Sequence, residues 1–227
     1  MRLRHSLRRY HIWLGWVVGV PLLLWTLSGV VMVARPIEAV RGSDLLAEPT
    51  PLPSGLIAVP PVIGPRAVES LRLEKRSDGP KWVVRYADGT ARLADPANGR
   101  LLPALTAADA AGEVSARYLG KARIRGVDRT SADHPPLDLR RPVDAWRVTM
   151  SDGTRFYLDA ATGEVLARRT RWWRFYDFMW GLHIMDLQTR EDSHNPWVIG
   201  FGVVTLLTTI MALVLLPMTI SRRRRGK

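Results

Sequence analysis

The sequence predicts an α+β domain, a duplicated antiparallel β-meander with one helix, set between two transmembrane α-helices. Three observations carry that expectation. Two uncharged runs, residues 12–34 and 197–220, are long enough to cross a bilayer as helices. Between them, apolar and polar residues alternate in short stretches punctuated by Asp-Gly turns. Finally, Trp82, Asp88-Gly89-Thr90, Asp95 and Gly99 recur 64 positions later as Trp146, Asp152-Gly153-Thr154, Asp159 and Gly163, a single register that marks a repeated unit.

The N-terminal element is justified by its flanks as well as its hydropathy. Arg2, Arg4, Arg8 and Arg9 precede the first apolar run, and Arg222 to Arg225 with Lys227 follow the last. These nine of the 33 basic residues account for most of the net charge of +12, leaving 24 against 21 acidic residues in the interior. Such a distribution belongs to membrane flanks rather than to a nucleic-acid surface, so no nucleic-acid partner is expected. By the positive-inside rule both termini, residues 1–11 and 221–227, are cytoplasmic tails and the long middle crosses to the far side. The first run exceeds the apolar core of a cleaved signal and lacks a small-residue cleavage site, which makes it a signal-anchor. Gly15 and Gly19 form a GxxxG pair on it, with Ser28-Gly29 further along; small residues there suit close packing on the second span or on a partner helix, a homodimer included. The chain has no cysteine, which excludes disulfides and thiol catalysis.

Residues 35–64 read as a proline-rich linker, since six prolines between Pro49 and Pro65 exclude a regular helix. The folded region is expected over 65–170. Residues 71–76 suit an extra strand ahead of the first meander. In the second copy Thr106 caps a helix to about Leu119, with Ala107, Ala111, Val114 and Tyr118 facing the sheet. Residues 121–129 return as a strand, and 131–142 read as a loop in which His134 and Asp138 lack further metal ligands. Trp146, Val148 and Met150 then alternate with polar residues, Asp152-Gly153 makes a tight turn with both positions at positive φ, and Phe156 to Leu158 return. Trp82 and Trp146 are expected at corresponding inward positions.

Residues 171–188, RWWRFYDFMWGLHIMDLQ, place Trp173, Tyr176, Trp180, His183 and Leu187 on one helical face and Arg174, Asp177, Gly181 and Gln188 on the other. Aromatic rings interleaved with arginine suit an amphipathic helix at the membrane–water interface, and Trp173, Tyr176 and Trp180 are candidates for partner binding.

The run Tyr157, Asp159, Thr162, Gly163, Val165 resembles the YxDxxTGxV-like mark of the PepSY family, and the apolar flanks resemble its membrane-anchored branch. The resemblance implies an α+β periplasmic domain on a multi-pass protein of the bacterial inner membrane. It also implies three functional classes: a non-catalytic module binding a partner protein or envelope component, a haem-carrying electron-transfer subunit of a membrane reductase, and a modulator of an envelope protease. His11 in RRYHIWLGW and His183 in WGLHIMD are similar to the histidine-bearing helices of the reductases, which makes them haem-ligand candidates. In the topology above they lie at opposite faces of the bilayer, so one haem cannot take both. No nucleophile elbow, HExxH or phosphate loop is present, and no catalytic residue is assigned.

Overall fold

The computed structural model describes the backbone of residues 2–225 and the side chains of residues 5–217; the flanking charge at Lys227 lies outside the described residues. The chain divides into two compact units, one formed by Ile37–Arg174 and the other by the segments up to Pro36 and from Phe175 onward.

The second of these is helical. It holds α1 (Arg2–Val33), the end of α4 (Arg171–His183) and α5 (Pro196–Arg225). Helices α1 and α5 contain the two candidate spans, His5–Val33 and Pro196–Pro217, and pack against each other. Their outward faces carry Trp13, Trp16, Leu23, Leu206 and Leu213, which are largely exposed and compatible with hydrocarbon. The contact stripe on α1 runs through Leu7, His11, Leu14, Val18, Pro21 and Ser28, the three-and-four spacing of a helix seam. Gly15 and Gly19 do not make it: a Cβ on either would meet nothing within 4 Å. Close approach within the chain occurs instead at Gly29, where a Cβ would lie 3.3 Å from the His183 ring. Thr26, Thr208 and Thr209 donate their hydroxyls to carbonyls four residues back, which satisfies them without water.

The α/β unit contains two antiparallel sheets: β1 (Val68–Arg76), β2 (Gly79–Tyr86) and β3 (Ala91–Ala94) in one, β4 (Ile124–Thr130), β5 (Ala145–Met150), β6 (Arg155–Asp159) and β7 (Val165–Arg169) in the other, each in sequence order. The pairing Trp82↔Ala94 of β2–β3 and the pairing Trp146↔Leu158 of β5–β6 differ by 64 on both strands. The following turns agree in the same way: Gly99 N–H donates to Asp95 O and Gly163 N–H to Asp159 O, and the Ala94↔Leu101 bridge stands where Leu158 pairs with Val165.

Three expectations need correction here. The Asp-Gly hairpins are not two-residue turns with two positive φ values. Only Gly89 (φ 82°) and Gly153 (φ 83°) are left-handed. Each closes a three-residue loop in which the Asp carboxylate accepts the Thr N–H two residues on, so the Asp need not leave the right-handed region. Residues 35–64 are not simply a linker. Ile37–Arg41 forms α2, Ser43–Leu45 a 3-10 turn, and Leu46 bridges Tyr118 and is buried in the core. The prolines then form a strap whose Val59 and Val62 amides bond to Pro96 and Gly99 carbonyls. A Cβ on Gly99 would lie 2.3 Å from Pro60 O, so that glycine is required for the close approach as well as for its φ of 70°. Finally, Trp82 and Trp146 are half-buried rather than fully inward, each donating its indole N–H to a backbone carbonyl, Val59 O and Leu105 O respectively.

The main core lies between the second sheet and α3 (Ala107–Arg117). It comprises Leu46, Ala110, Val114, Val148, Met150, Phe156 and Leu158. Thr106 caps the helix as expected and completes a capping box with Asp109, but the helix turns Ala110 and Val114 inward rather than Ala111. The opposite face of the sheet buries Tyr157, Ala145 and Ala167 under Leu139. The loop 131–142 is therefore a second cover, and Asp138 in it is buried, accepting from Tyr157 Oη at 2.6 Å and Arg155 at 3.0 Å. Neither His134 nor Asp138 belongs to a metal-binding group; none exists among the described residues.

Candidate functional site

Two places concentrate polar chemistry. The first is the His183 end of α4. Helix α4 stops because Met185 adopts a left-handed conformation (φ 56°) and Asp186 N–H reaches back to Gly181 O, a Schellman-type end. The expected helix over 171–188 therefore ends at His183, and the chain continues as a loop. Asp186 holds that loop by accepting from the amides of Gln188, Thr189, Glu191 and Asp192 and from the Thr189 hydroxyl. Led by the Thr189 hydroxyl, these donors hold its carboxyl well below the usual range. Asn195 caps α5 by accepting from Trp197 and Val198 N–H.

The face that α4 buries is the one expected to be polar. Asp177 and Gly181 are its buried residues, with Asp177 paired to Arg190 at 2.7 Å and both side chains largely enclosed. A Cβ on Gly181 would lie 2.7 Å from Arg190 Cγ, so the small residue admits the arginine stem. The buried carboxylate is tolerable because it is paired and the glycine admits its partner, while Trp173, Tyr176, Trp180 and His183 of the aromatic face are half-buried. Of the partner-binding candidates, Trp173 lies under the Arg169 guanidinium at 4.0 Å, Trp180 donates its indole N–H to Arg190 O, and Tyr176 is half-buried. Phe175, Phe178 and Leu187 are the more exposed apolar side chains.

His183 stacks on Trp25, ring centroids 4.4 Å apart and 21° from parallel. Its Nδ1 is 3.1 Å from Trp25 O and 3.1 Å from Ser28 Oγ, and Ser28 Oγ itself donates to Trp25 O. A carbonyl only accepts, so the contact with Trp25 O places a proton on Nδ1. Nε2 has no hydrogen bond among the described residues. His11 lies on the α1 seam with Nδ1 buried and without a hydrogen-bond partner. Seventeen residues of helix separate His11 from Ser28, about 25 Å of axial rise. The structure does not bring the two histidines together.

The second place is a cleft of about 410 Å³ in the α/β unit. Its walls come from the β1–β2 hairpin (Arg76, Asp78, Lys81), the connection before α3 (Leu102, Leu105), α3 itself (Asp109, Glu113) and the turn at Thr162-Gly163. Every carboxylate in it is engaged. Asp78 pairs with Lys81 at 3.1 Å, and Asp109 is held low by the Thr106 amide and hydroxyl. Burial pushes Glu113 up, but the Ser77 amide and the Arg117 guanidinium outweigh it and leave its carboxyl below the usual value.

For this chain, with two apolar helices flanking a two-sheet domain in sequence, the family model described as the PepSY-associated TM region matches residues 8–225. The chain belongs to that family. No curated protein and no solved structure matches it. It is accordingly a membrane-anchored PepSY-associated protein with two candidate spans.

Sequence reasoning located His183 but missed its partners. Trp25 and Ser28 read as ordinary span residues, and the only signal was the small pair Ser28-Gly29. The cleft left no signal, because it is lined from segments as far apart as Arg76 and Gly163.

Proposed function

We propose that this PepSY-associated protein is a non-catalytic binding module of the bacterial inner membrane. In this reading α1 and α5 span the bilayer with both termini cytoplasmic, and the duplicated meanders are periplasmic, where the cleft takes a partner protein or envelope component. The supporting observation is the cleft itself: an apolar floor of Leu93, Leu102 and Leu105 under a charged rim, with all its carboxylates already bonded. Such a site offers apolar burial and oriented charge, but no free acid or base for chemistry. A photo-crosslinker at Ala108, which lines the cleft, should give a defined adduct in intact cells that Gly112→Trp abolishes. A crosslinker at Ala116, exposed on the same helix and outside the cleft, should not. Equal adducts from both positions would reject the site. Reporter fusions near residue 100 and at the C-terminus should behave oppositely if the topology holds. Because the chain has no native cysteine, Gly19→Cys crosslinking tests directly for a homodimer through the open GxxxG face.

A second reading, a haem-carrying electron-transfer subunit, is favoured by His183. With Nδ1 held on Trp25 O, the Nε2 of a neutral imidazole would be the ligand atom, and the orphaned ring nitrogen of His11 fits the same use. The haem iron would supply one-electron chemistry. Trp25 and Ser28 would orient the His183 ring, and another chain would be needed to complete the site at each histidine. A Soret band in protein purified from haem-replete cells, shifted or lost in His183→Ala with membrane insertion intact, would establish it. Its absence, alone and with membrane partners, would dismiss it.

A further inference from the structure

Around the second hairpin turn the α/β unit gathers charge of one sign. A cavity of about 280 Å³ is lined by Arg125, Arg155, Arg171 and Arg174 together with Ser151, Asp152 and Gly153. We propose that these four arginines, converging on the Asp152-Gly153 turn, bind a phosphate group.

The charge is not needed by the fold. Sixty-four residues earlier Ala91 stands where Arg155 does, and the hairpin closes with the same backbone bond, Gly89 N–H to Tyr86 O as Gly153 N–H to Met150 O. Nor is the charge balanced locally. Arg155 pairs with Asp138 at 3.0 Å, whereas Arg125, Arg171 and Arg174 have no ion pair among the described residues. Arg174 spends one guanidinium nitrogen on Arg169 O. The cavity's own acid, Asp152, already accepts from Thr154 N–H. Arg171 and Arg174 also occupy the first turn of α4, whose amide end is positive and favours anions over cations. Burial, then Arg155, press the Arg174 guanidinium below its ordinary value although Asp138 and Tyr157 pull it up, and an anion in the cavity would oppose that lowering.

The turn is shaped to hold the cluster. With φ 83° and no Cβ, Gly153 lets the Arg171 side chain and Arg174 Nη2 close over it; a Cβ there would sit 3.3 Å and 3.5 Å from them. Guanidiniums are planar forks that match oxyanions in pairs. A carboxylate has two oxygens and is saturated by one or two such forks. A phosphate has the additional oxygens and charge that four forks call for. Two sources share this chemistry, the headgroup of an anionic phospholipid and a soluble phosphate.

The experiment uses the full chain in phosphatidylcholine nanodiscs and follows amide hydrogen exchange at residues 151–154 and 171–174. One arm replaces part of the lipid with phosphatidylglycerol, a second adds inorganic phosphate, and a third adds sodium chloride at matched ionic strength. With the phosphate probe at ten times its Kd, exchange in the protected segments should slow about tenfold. Protection in the lipid arm alone assigns the headgroup; protection by inorganic phosphate assigns the soluble source. Arg125→Gln and Arg171→Gln, both at exposed side chains without ion pairs, should each weaken the phosphate affinity about 10- to 100-fold, nearly abolishing the protection at the same concentration, while leaving the unprotected exchange rates unchanged. No protection in either phosphate arm, equal protection by chloride, or protection that survives both substitutions would overturn the proposal.

Discussion

The two meanders share a backbone and differ in what covers it. The backbone bonds that close their hairpins and turns agree at an offset of 64, as do the φ values of 82° and 83° at Gly89 and Gly153 and of 70° and 69° at Gly99 and Gly163. Yet Phe156, Tyr157 and Leu158 of the second, all fully buried, stand where the first has Arg92, Leu93 and Ala94. The second sheet is sandwiched between α3 and the loop carrying Leu139; the first is crossed by a proline strap. Turn chemistry is thus separable from core formation. Asp, Thr and Gly suffice to repeat a hairpin, while the apolar content of its strands depends on what lies above and below.

That comparison breaks most sharply at the return strands. Phe156→Ala removes a fully buried ring from the main core and should cost about 3–5 kcal/mol. Arg92→Ala, its counterpart, should stay within about 1 kcal/mol despite losing a bond to Leu102 O. Denaturant unfolding of the full chain, read by exchange in each strand, measures both, and equal costs would mean that the two sheets are equally cored.

Next comes Tyr157→Phe, which leaves the buried Asp138 short of one donor and should cost about 1–3 kcal/mol. The position equivalent to Tyr157 is Leu93, which has no such bond to lose. Burial, reinforced by the Asp138 carboxylate, pushes the Tyr157 phenol up to about 12 from an ordinary 10.0. The fold therefore favours the protonated phenol. Its contribution is complete below pH 10 and fades as pH rises towards 12, which absorbance titration of wild type against Tyr157→Phe would follow.

The glycines sharpen the comparison on a smaller scale. Gly89→Ala should cost about 1 kcal/mol from its positive φ alone. Gly153→Ala should cost slightly more, because the new Cβ meets Arg171 as well. A smaller cost at Gly153 in thermal unfolding would contradict the closeness of the arginines.

The smallest effect is at Asp88. The Thr90 hydroxyl and amide, then Arg66, lower its carboxyl to about 2. Its bonds are intact above the ordinary 3.8 and are lost as pH falls through about 2. The Thr90 amide resonance should report that loss with a midpoint near pH 2, and a midpoint at the ordinary 3.8 would contradict it.

Much of this was legible in the residues themselves. The two apolar helices, the hairpin strands and the cap at Thr106 depend on neighbours a few positions apart, and so the sequence alone determined them. Tertiary structure decided the rest. It folded residues 37–46 onto α3, because Leu46 is apolar enough to be buried once a sheet exists to bury it. It turned the Asp177 face of α4 inward, because Arg190, thirteen residues away, supplies the partner that makes a buried carboxylate tolerable. It gave His183 its proton position through Trp25 and Ser28, more than 150 residues earlier in the chain. Hydrophobic periodicity records which face prefers burial. Pairing of charges and hydrogen bonds across the chain can reverse that preference, and no local pattern encodes it.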